Sequence, residues 1–244
     1  MRIRVVNPNT TRVMTDTIEQ CARAVTGQGT LLDAVTAEMG PASIESHYDE
    51  ALSVPGILAA IQRGEREGVD GYVIACFGDP GLDAARELAG GPVIGIAEAA
   101  MHTASHLGRG FSVVTTLSRT IGRAEDLVER YGMRRFSRGI HACEIPVLAL
   151  DTDPAARKIV TEACRDAVDT DGSDAIVLGC AGMADLCEHI REEIGVPVID
   201  GVAAATLTVQ SLITLGLRKS GRAEFAPPPP KPYSGLLRSF GANR

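Results

Sequence analysis

Short runs of β-branched and aliphatic residues alternate with helix-spaced apolar positions along almost all of the 244-residue chain. Arg2–Asn7 predicts a strand and 10–25 a helix, with Val13, Met14, Thr17, Ile18 and Cys21 at helical spacing. Leu31–Thr36 is the next strand, followed by a helix expected to carry Pro55 in its first turn and to stop at Gly68. The unbroken apolar run 71–76 predicts a strand covered on both faces. Asp79 and Pro80 then read as an N-cap with proline at the first helical position. Strand 93–96 and an alanine-rich helix over 98–107 complete a first half.

The pattern then restarts. Phe111–Thr115 predicts a strand, and Ser118 a cap for a helix bearing Ile121, Ala124, Val128 and Tyr131. A strand is expected over 145–150, a helix from Asp153 and Pro154, and a strand over Ala175–Leu178. A helix with Met183, Leu186, Cys187, Ile190 and Ile194 leads to strand 197–199 and a last helix from about Val202. Strands alternating with helices of this length define parallel sheets in an α/β fold. From about Lys219, with prolines at 227–230, the chain predicts an extended arm.

The halves repeat in sequence as well as in pattern. VDGYVIACFGDPG (69–81) aligns with SDAIVLGCAGMAD (173–185) at an offset of 104, and GPVIGIAEAA (91–100) with GVPVIDGVAAA (195–205) one residue later. Each half runs Asp, apolar strand, cysteine, helix, Pro-Val-Ile strand. Two pseudo-symmetric lobes follow, each with one cysteine where open α/β sheets bind ligands.

Composition narrows the function classes. At 45% hydrophobic and 23% charged the chain is an ordinary globular one, and its net charge of −7 argues against a nucleic-acid or anionic-membrane surface. No run of about 18 apolar residues is present to span a membrane. The N-terminus enters a strand at once, so a signal peptide is not expected. The six cysteines are then expected to be reduced thiols in the cytoplasm. His102 and His106 have the i, i+4 spacing of a metal pair but lack the HExxH glutamate, so no metal is expected. Three lysines, at 158, 219 and 231, lie in a polar helix or the tail, away from any Schiff-base setting. No phosphate-binding glycine motif occurs.

The chemistry therefore rests on the paired cysteines. Cys76 and Cys180 each close a strand before an expected helix N-terminus, where dipole and free amides favour a thiolate. Two thiols facing one another across a cleft suit stereochemical inversion: one removes a proton from carbon while the other delivers a proton to the opposite face. Cys21, Cys143, Cys164 and Cys187 fit the ordinary role of small buried hydrophobes. Glu45, His47, Asp49 and Glu50 form a polar cluster that reads either as a pocket rim or as a solvated helix start.

The chain resembles the aspartate/glutamate/hydantoin racemase superfamily, and within it the hydantoin and allantoin racemase branch. The resemblance runs through NPNTT (7–11), GPASIESHYDEA (40–51), YVIACFGDPGL (72–82), GIAEAAMH (95–102), FSVVTTLSRT (111–120), IVLGCAGM (176–183) and PVIDGV (197–202). It implies racemisation without a cofactor, Cys76 and Cys180 as acid/bases, and substrate contacts at Asn9, Ser43, Ile44, Phe77, Thr115, Thr116, Ala181 and Gly182. It also implies two three-layer lobes with the site in the cleft between them. The last helix would return to the first lobe, giving 1–98 with about 203–244 as one lobe and 99–202 as the other. Amino-acid racemases of the superfamily typically carry Cys-Asn-Thr and Thr-His neighbours. Here the neighbours are Phe77-Gly78 and Ala181-Gly182, neutral surroundings suited to a neutral ring. The expected substrate is a 5-substituted hydantoin, with allantoin as the alternative, and the expected assembly is a homo-oligomer. A two-lobed solute-binding protein is a more distant alternative.

Overall fold

The structure is a computed structural model that describes residues 1–241. Two four-stranded parallel sheets carry the fold. The first contains β1 (Arg2–Asn7), β2 (Leu31–Thr36), β3 (Gly71–Ile74) and β4 (Val93–Gly95), in the order β2-β1-β3-β4. The second contains β5 (Phe111–Thr115), β6 (Ser137–Ala142), β7 (Ala175–Leu178) and β8 (Val198–Ile199), in the matching order β6-β5-β7-β8. The repeat in sequence is thus a repeat in topology. Val5 pairs with Val73 at the centre of one sheet and Val113 with Val177 at the centre of the other, all four fully buried.

The connecting helices are α1 (Arg12–Val25), α2 (His47–Arg66), α3 (Leu82–Leu88), α4 (Ile96–Ser105), α5 (Ile121–Arg130), α6 (Ala156–Asp171), α7 (Cys187–Ile194) and α8 (Gly201–Thr214). Helices α4 and α8 cross between the halves. The buried Ala97, Ala100 and Met101 of α4 pack with Phe111, Val113 and Val177 of the second sheet. Val202, Ala205 and Val209 of α8 pack with Ile3, Val5 and Val73 of the first. Small side chains bring both helices close: a Cβ at Gly201 would overlap the backbone of Ile96. None of the helices among the described residues is long and apolar enough to cross a membrane.

The strand expected over 145–150 does not form. Val147–Ala149 is a single 3-10 turn, and β6 takes the edge position through the polar sequence SRGIHA. An edge strand is half exposed, so its apolar signal is weak. The apolar run that mimicked a strand instead buries Val147 among Met14, Ile18 and Ala181 where the halves meet. Pro55 lies inside α2 rather than in its first turn, because Ser46 caps the helix nine residues earlier by accepting the Asp49 amide at 3.2 Å. Ser118 opens a 3-10 turn (Ser118–Thr120), with α5 starting at Ile121 and no side-chain cap.

Asp79 does not cap α3. That helix starts at Leu82 behind Gly81, which adopts φ +65°, and the Asp79 carboxylate turns instead to α4. The expected extended arm is interrupted: between 219 and 241 the chain runs extended through its prolines but is not extended throughout. Two 3-10 turns, Ala223–Phe225 and Gly235–Phe240, break it, and Lys219 Nζ donates to the carbonyls of Glu87 on α3 and Phe225.

Candidate active site

The C-terminal ends of the central strands of both sheets open onto one cavity of about 160 Å³. That volume suits one small ring and is well below the roughly 300 Å³ and more of pockets for larger ligands. Cys76, two residues beyond β3, and Cys180, two residues beyond β7, both line it. Asn9, Ile44, Phe77, Thr115, Thr116 and Ala181 line it too. Ser43 and Gly182 do not: Ser43 precedes Ile44 outside the lining, and Gly182 sits behind Cys180.

The two thiols are held alike. The Gly78 amide favours the charged form of Cys76 and the Gly182 amide that of Cys180, the same i+2 influence in each half. These donors favour a thiolate, as expected, but burial outweighs them. It drives the Cys76 thiol far above the ordinary range, with Glu50, Cys180 and Asp79 adding repulsion. It pushes Cys180 up to about 12, with Cys143, Asp151 and Glu45 adding repulsion. A full helix N-terminus is also missing beside each sulfur: α3 begins six residues after Cys76, and Cys180 leads into a 3-10 turn. Burial therefore disfavours ionisation of either cysteine and makes whichever one is ionised a strong base.

The polar lining is pre-set by its own bonds. In the turn after β1, Asn9 Oδ1 accepts from Asn7 Nδ2 and the Thr11 amide, both at 2.9 Å. Asn9 Nδ2 rests on the Met14 sulfur at 3.0 Å, a weak acceptor that a ligand carbonyl can replace. The Thr115 hydroxyl lies 2.9 Å from that of Thr120, and Thr116 is almost fully buried beside it. Phe77 is 7% exposed and forms an apolar wall continuous with Ala97 and Met101.

Charged side chains reach the cavity from both halves, those at 45–50 anticipated as a pocket rim and the two arginines not. Glu45, His47 and Glu50 at the start of α2 line the cavity, as do Arg119 and Arg123 on and before α5. The polar cluster at 45–50 is thus part pocket rim and part helix start, since Asp49 serves the cap instead. Arg123 Nε meets Glu50 Oε1 at 3.2 Å, and its Nη2 donates to the Gly78 carbonyl at 2.7 Å. Glu45 Oε1 accepts the Val147 amide at 2.7 Å. Both contacts join the two halves beside the cavity. The neutrality seen beside each cysteine in sequence does not extend to the rim. A helical spacing search could not find Arg123, because its partner lies 73 residues away on the other half.

His102 Nδ1 contacts the Glu98 carbonyl at 2.8 Å within its own helix. Among the described residues no three His, Cys, Asp or Glu side chains converge as a metal site.

Two matched parallel sheets with a thiol at each central strand end define a class, and comparison agrees: the chain belongs to the Asp/Glu/hydantoin racemase family, whose model matches residues 3–209. This membership makes it an isomerase of the racemase type acting on a small molecule, and the solute-binding alternative gives way to it. Among individual relatives, the chain is 46% identical to a hydantoin racemase of Pseudomonas sp. (strain NS671), covering 100% of this chain and 98% of that one. It is 48% identical to a hydantoin racemase of Rhizobium meliloti, covering 96% and 98%. The structure of allantoin racemase from Klebsiella pneumoniae superposes with a TM-score of 0.97 at 50% identity, covering 100% of both chains.

Proposed function

We propose that this chain inverts the C5 stereocentre of 5-substituted hydantoins by two-base proton transfer between Cys76 and Cys180, with allantoin as the alternative substrate of the same dyad. The observation that carries this reading is the presence of two thiols, at repeat-equivalent positions beyond the central strand of each sheet, on one small cavity. One sulfur, as thiolate, takes the C5 proton and becomes a thiol. The other, as thiol, gives a proton to the opposite face and becomes the thiolate. The electron pair left on C5 spreads into the adjacent ring carbonyl as an enolate and returns to form the new C–H bond. Each turnover therefore leaves the two cysteines with exchanged protonation states.

In this reading Asn9 Nδ2 and the hydroxyls of Thr115 and Thr116 hold the ring carbonyls and the developing oxyanion. Ile44, Phe77 and Ala181 pack against the ring. No metal or organic cofactor takes part. We take 1–98 with about 203–244 as one lobe and 99–202 as the other, a division that the packing of α8 on the first sheet supports. The same reading puts the enzyme in the cytoplasm, where six thiols stay reduced. It makes the enzyme a homo-oligomer, for which the exposed Leu207 and Leu215 on and just beyond α8 supply apolar surface.

The test is circular dichroism of enantiopure 5-benzylhydantoin and allantoin incubated with enzyme dialysed against chelator. The signal should decay to zero for at least one substrate, and Cys76→Ala or Cys180→Ala should abolish the decay. Activity lost on dialysis and restored by zinc or pyridoxal phosphate would contradict the mechanism.

A further inference from the structure

The two halves differ at one place beside the cysteines. In the second half, helix α8 is capped in the ordinary way: Asp200 precedes it at φ −81°, and its carboxylate accepts the amides of Val202 and Ala203 at 2.8 and 3.0 Å. The repeat puts Gly95 at the equivalent position before α4, with a nearly identical φ of −84° and no side chain. The missing carboxylate comes from elsewhere. Asp79 Oδ1 and Oδ2 accept the amides of Ala97 and Glu98, the equivalents of Val202 and Ala203, at 3.1 and 3.0 Å. A Cβ at Gly95 would overlap the Asp79 carboxylate itself, so the glycine is the vacancy that this cap fills.

Asp79 lies three residues beyond Cys76. Its amide donates to the Cys76 carbonyl at 2.9 Å, closing the turn that carries the Cys76 sulfur. Asp79 adopts φ +44°, a left-handed conformation that its two caps and a third bond sustain. The third bond comes from the Tyr131 hydroxyl at the end of α5, which donates to Asp79 Oδ2 at 2.7 Å. Position 183, the repeat partner of Asp79, is a fully buried methionine. Both turns are closed by the same amide-to-carbonyl bond, 3.1 Å from Met183 to Cys180 in the second half, but the side chain at that position packs among apolar residues there and is a carboxylate tied to α4 and α5 in the first half.

We propose that Asp79 is a positioning residue for Cys76: it lends α4 the cap that Gly95 lacks, and through that bond fixes the turn that aims one of the two thiols. The inference rests on the two-thiol reading above. A turn that loses this anchor misplaces the Cys76 sulfur while leaving Cys180 in register. Misplacement by about 1 Å costs roughly 10²-fold in a well-aligned step.

A paired substitution separates capping from positioning. Asp79→Gly frees the space at Gly95 and suits the positive φ. Gly95→Asp then restores an in-chain cap at a backbone already shaped like that of Asp200. The assay is α-proton exchange of each 5-benzylhydantoin enantiomer in deuterium oxide, with the uncatalysed rate subtracted. It is run in Cys180→Ala, where Cys76 works alone, and in Cys76→Ala, where Cys180 works alone. Adding D79G/G95D should restore the melting temperature lost in D79G. It should nevertheless slow exchange by Cys76 tenfold or more, and exchange by Cys180 less than about threefold. Equal losses in the two backgrounds, or full recovery of Cys76 exchange together with stability, would overturn the inference alone. Single-cysteine variants without opposite enantiomer preferences would contradict the two-thiol reading, and this inference with it.

Discussion

Gly78→Ala perturbs the cavity through a single contact. Gly78 has no positive φ, so alanine fits its backbone, but the new methyl would overlap Glu50 Oε1. That oxygen ends a flexible side chain and will swing away, so the cost is the lost ion pair with Arg123 rather than a steric clash. Arg123 and Glu50 are 25% and 18% exposed, between the surface and buried limits for ion pairs, which gives about 1–2 kcal/mol. For a chain of this size the melting temperature should fall by about 2–4 °C. The double-mutant cycle with Glu50→Ala supplies the control. Once the carboxylate is gone, Gly78→Ala should cost less than about 0.5 kcal/mol by urea unfolding. Equal costs of Gly78→Ala with and without Glu50 would refute the clasp between the halves.

Two further outcomes follow from ionisation. With Cys180 pushed up to about 12, only about one thiol in 10⁴ is ionised at pH 8. Iodoacetamide labelling of Cys76 and Cys180, followed by mass spectrometry, should therefore rise about tenfold per pH unit from 7 to 10, and a plateau near pH 8 would contradict the assigned burial. Burial also pushes Asp79 from 3.8 up to about 7, with Glu98 adding repulsion and the Tyr131, Ala97 and Glu98 donors opposing the rise. The folded state therefore holds the proton more tightly than the unfolded chain. The resulting stability is full below about pH 4 and is lost as pH rises through about 7. Relative to Asp79→Asn, the parent protein should lose stability over that window in urea titrations, and a gain would reverse the assignment.

Much of this architecture is written in short-range pattern. The runs before Cys76 and Cys180 are buried on both faces, so their signal is continuous, and the repeat doubles it. Thr115 ends a strand, Asn9 and Thr116 follow strand ends, and all three fall on the cavity for that reason. What escaped the pattern depends on partners far along the chain. Strand β6 is a polar edge, legible only once β5 is in place to pair with it. Arg123 and Glu50 look like helix-surface charges until the halves meet. Asp79 followed by Pro80 carries every local mark of a cap for its own helix, yet Gly95 leaves a better vacancy at α4. Local capping propensity lost there to a tertiary one.

The central claim is that Cys76 and Cys180 serve opposite faces of one substrate. It is tested most directly by proton exchange at C5 in deuterium oxide, followed by NMR for each enantiomer of a 5-substituted hydantoin. Cys76→Ala should exchange one enantiomer with retention and leave the other inert, and Cys180→Ala should show the reverse preference. Both should lose racemisation by orders of magnitude, since no proton donor remains on the far face. Exchange of both enantiomers at equal rates in either variant would mean that one mobile base suffices, and would contradict the account.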